Sequence, residues 1–121
     1  MTVDIPAVLS GMDHEIAEPL DGEKIVVTRT PCSVSFDIGT GVESNSLAAP
    51  SRAGLQVTIT CRSTGGGSRS ISAHAGHTID KTGDDTMNFD AARETISLVS
   101  IRTGSETFQW QIVANDGVDL A

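Results

Sequence analysis

Two histidines and two aspartates between residues 74 and 84 are the part of this sequence that comes closest to a chemical site. His74 and His77 are followed by Asp80 and Asp84. Two imidazoles and a carboxylate could bind a divalent metal ion. The spacing, however, puts no such set on a rigid helix, and the segment has the composition of a loop. We therefore expect no metal here, although the two histidines could meet their copies at the axis of a symmetric oligomer.

Cys32 and Cys61 are the candidate nucleophiles. A thiol becomes reactive when a neighbouring base or positive charge favours the thiolate, and the sequence indicates no such neighbour for either cysteine. The run Gly65–Ser68 lacks the lysine and the strand–loop–helix context of a phosphate-binding loop, so it predicts a turn. We predict that the chain is not an enzyme and binds no cofactor.

Charge narrows the range of partners. The 121 residues carry a net charge of −8. Nucleic acid and anionic membrane surfaces both require a basic footprint, so neither is expected as a direct partner. The N-terminus shows no signal peptide, which predicts synthesis and folding in a cytoplasm. Cys32 and Cys61 are then expected to be reduced, with a disulfide between them as the alternative.

The first 23 residues differ from the rest of the chain in charge. They carry no Lys or Arg and six acids, namely Asp4, Asp13, Glu15, Glu18, Asp21 and Glu23. Their apolar residues Val3, Ile5, Val8 and Leu9 show no period that would pack on a domain. We predict an acidic N-terminal arm over residues 1–23 and a β-domain over residues 24–121. The arm is either simply solvated or docks on a basic partner surface, and its removal should leave the β-domain folded.

Residues 24–121 read as an all-β chain. Alternating polar and apolar residues predict about seven short strands, near residues 24–28, 33–36, 55–62, 69–73, 86–89, 96–101 and 108–112. Residues 63–68 predict a hairpin loop between two of them, and residues 37–53 predict a long loop. The pattern favours a small antiparallel β-sandwich or barrel.

The last two strands are expected to organise the core. Ile96, Leu98, Val99 and Ile101 place apolar side chains on both faces of one strand, which predicts cover on both sides. The return strand alternates, and its inward residues Phe108, Trp110 and Ile112 are the predicted core anchors. Asn115-Asp116-Gly117 predicts the turn that ends this strand.

Three runs of residues resemble small virion proteins of tailed bacteriophages. They are GLQVTITCRSTGGGSRSISA, TGDDTMNF and TISLVSIRTGSETFQWQIVANDGVDL, which together extend from Gly54 to Leu120. The shared pattern is a strand, a Gly-rich turn and a second strand, then a variable loop and a terminal hairpin with a Trp strand. It is a pattern of β-hairpins and contains no catalytic signature. Head-decoration, or cement, proteins are the nearest functional analogues.

The resemblance implies a structural role in the virion. Decoration proteins typically form homotrimers on the outer capsid surface, where they bridge subunits of the major capsid protein. It therefore implies that this chain stabilises the head and docks through an arm that includes Val3, Ile5, Val8, Leu9, Asp13, Glu15 and Glu18. A similar terminal hairpin occurs in fibre proteins, so a receptor- or glycan-binding fibre module is the alternative.

Overall fold

The structure, a computed structural model, describes residues 14–121. All regular elements from residue 15 onwards are strands, which confirms the predicted all-β class. There are ten of them in this part of the chain: β1 (Glu15–Ala17), β2 (Lys24–Ile25), β3 (Cys32–Ile38), β4 (Val42–Leu47), β5 (Gln56–Thr64), β6 (Ser68–Ala73), β7 (Thr86–Phe89), β8 (Thr95–Arg102), β9 (Phe108–Asp116) and β10 (Asp119–Leu120).

The strands form two five-stranded sheets. Sheet A has the order β1-β3-β5-β8-β9, and sheet B has the order β10-β7-β6-β4-β2. In each sheet three adjacent strands pair in parallel, and two further strands are added by antiparallel pairing. The sheets are therefore mixed, whereas the sequence predicted antiparallel pairing throughout.

The parallel pairs arise because the chain changes sheet after every one of its first five strands. β1, β3 and β5 lie in sheet A, while β2, β4 and β6 lie in sheet B. Each return to a sheet places the new strand beside the earlier one and in the same direction, as when Val34 lies opposite Ile59. The later strands reverse direction, and the β8–β9 hairpin completes sheet A.

One hydrophobic core receives side chains from both sheets. Phe36 of β3 and Phe89 of β7 meet edge to face across it, with ring centroids 5.1 Å apart. Val34, Ile59 and Leu98 bring further buried side chains from the centre of sheet A. Because the chain has only four aromatic residues, the edge-to-face pair in the middle of this core supplies much of its aromatic packing.

The predicted hairpin between residues 63 and 68 is wrong, because β5 and β6 belong to different sheets. The glycine run is a corner that carries the chain from one sheet to the other. It packs against the corner between β3 and β4. Gly67 N donates a hydrogen bond to Gly39 O at 2.9 Å, and Ser68 N donates one to Gly41 O at 3.0 Å. A side chain on Gly67 would overlap the carbonyl oxygen of Gly41, so the close stacking of the two corners requires glycine.

The predicted loop at residues 37–53 is also wrong in part, because it contains β4 in the interior of sheet B. Its inward positions include Asn45, which is buried although it is polar. The Asn45 amide nitrogen donates to the carbonyl oxygens of Leu20 at 2.7 Å and Glu23 at 3.0 Å. An inward amide that is satisfied in this way interrupts the apolar alternation by which strands are recognised.

Candidate functional site

Residues 15–23, which the sequence assigned to the arm, contact both sheets. β1 pairs in parallel with β3, and Glu15 lies opposite Ser33. On the other sheet, the Asp21 carboxylate accepts a hydrogen bond from Ser44 N at 2.9 Å. The separate arm therefore remains a prediction only for residues 1–13. Its predicted docking residues Val3, Ile5, Val8, Leu9 and Asp13 lie outside the described residues.

Glu18 holds the end of β1 through a charged cluster at the surface. Its carboxylate forms an ion pair with Arg62 of β5 and accepts a hydrogen bond from Asp37 N at 2.8 Å. The Asp37 carboxylate also pairs with Arg62, at 3.1 Å. Because all three side chains are roughly half exposed, the ion pairs contribute little to stability, on the order of 1 kcal/mol or less each. The Glu18 carboxylate is thus bound by groups of the same domain, whereas Glu15 is exposed.

Arg69 of β6 ties the same N-terminal segment to the core. Its side chain is only 3% exposed, and its guanidinium lies 4.8 Å from the centre of the Phe36 ring. Nη1 donates to the carbonyl oxygen of Pro19 at 2.8 Å and to Asn45 Oδ1 at 2.9 Å, while Nη2 pairs with Glu43 at 3.2 Å. Nε is buried and has no partner among the described residues. Sequence reasoning missed this role, although Arg69 shares the inward phase of Ile71 in the alternating run RSISA.

A polar recess with three basic side chains lies close to the starts of β3 and β5. It has a volume of about 470 Å³ and is lined by His14, Thr28, Arg29, Thr30 and Arg52. Two hydrogen bonds between side-chain hydroxyls and the main chain hold its walls: Thr30 Oγ1 accepts one from Gln56 N at 3.0 Å, and Arg52 O accepts one from Ser100 Oγ at 2.7 Å. In a chain with a net charge of −8, this concentration of basic groups favours an anionic ligand.

The histidine and aspartate loop has an internal role in the structure. The rings of His74 and His77 lie 5.6 Å apart. Asp80 Oδ1 accepts hydrogen bonds from the backbone N–H groups of Thr82, Gly83 and Asp84, at 2.9, 3.0 and 3.1 Å. Within residues 14–121, no group of three His, Cys, Asp or Glu side chains is arranged to hold a metal ion.

The pKa of Asp80 follows from these contacts. Partial desolvation acts to raise the pKa, but hydrogen bonds from Thr82 and from the backbone of Gly83 and Asp84 lower it below its ordinary value. The carboxylate is therefore the charged centre of a turn. This turn precedes Asp85, whose carbonyl oxygen accepts a hydrogen bond from Ala73 N at 2.7 Å at the end of β6.

Cys32 and Cys61 are both free and buried. Burial raises the pKa of Cys32. Burial also raises the pKa of Cys61, and the negative charge of Glu94 raises it further. Raised pKa values keep both thiols protonated near neutral pH, which makes them poor nucleophiles.

The predicted core anchors occupy different depths. Trp110 is buried, with 2% of its surface exposed, and its indole N–H donates to the carbonyl oxygen of Ala48 at 2.9 Å. Ile112 is partly buried and packs against the core. Phe108 is half-buried and lies beneath the Arg102 guanidinium, 4.8 Å from the ring centre. Trp110 thus fixes the segment that leads from β4 to β5.

Comparison with known proteins gives no assignment. A scan against protein-family models found no matching family, and a search of curated proteins found no match. Within residues 14–121, no helix has the length and apolar character needed to cross a membrane.

Proposed function

We propose that this protein is a non-enzymatic decoration protein of a tailed-bacteriophage head. It binds the major capsid protein on the outer surface of the virion as a homotrimer, and it stabilises the head by bridging capsid subunits. The proposal includes the finer description of the fold: the two sheets pack face to face as a β-sandwich. Contact between Phe36 of sheet A and Phe89 of sheet B supports that description.

The observation that carries the proposal is the composition of the outward faces of the two sheets. On sheet B, the outward positions of β6 and β7 are serine, threonine and asparagine, as in Ser70 and Asn88, and those of β4 are Val42, Ser44 and Ser46. On sheet A, the outward positions of β3, β5 and β8 include Ser33, Thr58 and Ser97. These faces are rich in small polar side chains, although sheet A also carries the exposed ion pair of Asp37 and Arg62. Surfaces of this kind suit extended contact with neighbouring proteins, and such contact would stabilise the assembled state.

The docking element in this proposal is the segment before β1. Residues 1–13 contain Asp4 and Asp13 and no Lys or Arg, so a basic capsid surface would attract them. An extended segment can add to the edge of a capsid sheet through main-chain hydrogen bonds. Glu15 is exposed next to this segment and can contribute to the same attraction.

The experiment that tests docking compares capsid binding by the full chain and by a chain that starts at His14. The shorter chain keeps every contact described for residues 15–23, so a loss of binding would not reflect loss of the fold. We expect binding to weaken strongly. Charge reversal at Asp13 and Glu15 should slow association more at low salt than at high salt. Equal capsid binding by the two chains would contradict docking through residues 1–13.

A second candidate function is favoured by the recess of His14, Arg29 and Arg52. Arg52 with neighbouring threonine hydroxyls could bind a carboxylated sugar, which would suit a fibre module that recognises glycans. Calorimetry with a carboxylated monosaccharide tests this function, with Arg52→Ala as the site variant and the exposed Arg102→Ala as the control. Electron microscopy of antibody-labelled particles decides between the two functions, since label on the capsid supports decoration and label on fibres supports glycan recognition.

A further inference from the structure

The outward face of β8 carries apolar side chains that the described chain does not cover. Val99 is half-buried, and Ile101 remains 37% exposed. The opposite face of the strand is buried through Ile96 and Leu98. The sequence predicted that both faces of β8 would be buried, but only one face is buried by the described chain. The apolar side chains on the other face indicate that a partner packs there.

The residues around Val99 and Ile101 are uncharged. Val99 lies between Gln56 of β5 and Gln111 of β9, and Ile101 lies opposite Gln109. Thr58 and Ser97 continue this surface and make a side-chain hydrogen bond of 3.1 Å to each other. The β8 face, as we define it, consists of Gln56, Thr58, Ser97, Val99, Ile101, Gln109 and Gln111.

The neighbouring edge of sheet A is less suited to a partner than the face. β9 is the last strand of the sheet, and an open edge strand can pair with another chain. Here the loop between β6 and β7 covers the middle of that edge, since Ile112 N donates a hydrogen bond to Ile79 O at 3.0 Å. Strand addition at Ile112 would have to displace this contact. On the β8 face the loop reaches only Gln109, whose Oε1 accepts a hydrogen bond from Thr78 Oγ1 at 3.4 Å, whereas Gln56 and Ile101 are exposed.

We infer that the β8 face is the surface through which copies of this chain associate. Each copy carries a net charge of −8, so two copies repel each other least when they meet through a surface without charge. Gln56 and Gln111 suit such contact because each amide both donates and accepts hydrogen bonds and can pair with its own copy near a symmetry axis. Gln109 keeps its amide N–H donors for the same purpose, since among the described residues only its Oε1 is engaged, by Thr78. Val99 and Ile101 supply the apolar centre.

This inference rests on the proposed homo-oligomer, but its test requires no capsid. The site variant combines Gln109→Glu and Gln111→Glu, which add charge with almost no change in shape. The control is Asn88→Asp, a change of similar size that adds one charge to the outward face of sheet B, where residue 88 lies opposite Asp119. Light scattering after size exclusion gives the mass of each protein over a series of micromolar concentrations, and melting curves confirm that all three are folded.

We expect the wild-type chain and Asn88→Asp to form the same oligomer. The double glutamine variant should dissociate at concentrations about tenfold higher or more. High salt should partly restore its association, because salt screens the added charges. A monomeric wild-type chain would overturn the inference, as would a double variant that associates like the wild type. An oligomer that assembles through this face but binds no capsid would instead refute the proposed function and leave the face intact.

Discussion

Gly67 lies at the corner between β5 and β6, where the backbone of the preceding corner comes closest. Added methyl volume at this position meets main-chain atoms of Gly39 and Gly41, which cannot rotate away as a side chain could. We expect Gly67→Ala to lower the free energy of unfolding by roughly 1–3 kcal/mol, the usual cost of overpacking. Gly41→Ala is the matched control, since a methyl group there meets no atom within 4 Å. Urea denaturation measures both, and equal stability of the two variants would show that the corners are not in close contact.

The two buried thiols predict how stability depends on alkaline pH. Their pKa values in the folded chain are raised from an ordinary value of 9.0, so the folded state retains protons that the unfolded state releases. Their contribution to stability is therefore complete below pH 9.0 and is lost as the pH rises through the raised values. The chain has no Tyr and only two lysines, so it has few other side chains of the types that titrate at alkaline pH.

Chemical denaturation between about pH 7 and pH 10.5 tests this prediction. The wild-type free energy of unfolding should fall above pH 9.0, whereas a variant with Cys32→Ala and Cys61→Ala should show a smaller decrease from a lower starting value. The same alkaline slope in both proteins would assign the effect to other groups.

At the scale of elements, β1 and the turn that follows it belong to the folded domain. A chain that starts at Gly22 lacks β1 and removes the Pro19 carbonyl from buried Arg69. Because a buried charged group loses a hydrogen bond and β3 loses its pairing with β1, we expect a loss on the order of 3 kcal/mol relative to a chain that starts at His14. Thermal melting of the two chains measures the difference. The sequence-based expectation, in which removal of residues 1–23 leaves the domain intact, would be supported if they melted together.

The strands that were easiest to predict have apolar residues at most of their inward positions. β5 shows this pattern through Val57, Ile59 and Cys61, and its existence was predicted correctly. β4 was missed because inward Asn45 is polar and satisfied by distant carbonyl groups. The order and direction of the strands could not be predicted from the sequence, because the alternation within a strand is the same whether its neighbour is parallel or antiparallel. The assumed hairpin at Gly65–Ser68 failed for this reason.

Features that depend on several strands were less accessible to sequence analysis. Arg69 could have been recognised as buried from its phase with Ile71, but its partners in the N-terminal segment could not. The polar recess joins Arg29 and Arg52, which are distant in sequence and meet because β3 and β5 run in parallel. Both arrangements depend on the path of the chain between the sheets, which no local pattern encodes.

At the scale of the whole molecule, the proposed role predicts that this protein raises the thermal stability of the phage head. Bridging contacts that form only on the assembled capsid favour that state by mass action. They should therefore raise the temperature at which heated particles release their DNA. Particles produced without this protein should release it at a lower temperature, and addition of the purified wild-type chain should restore the original value.

The most direct test of the decoration role is this heat challenge, with release of DNA followed by a fluorescent dye. We predict that wild-type protein restores the stability of depleted particles in proportion to its occupancy of the capsid. A chain that starts at His14 should restore much less at equal concentration, because it lacks the proposed docking segment. Depleted particles that release DNA at the same temperature as complete ones, with or without added protein, would contradict the proposed function.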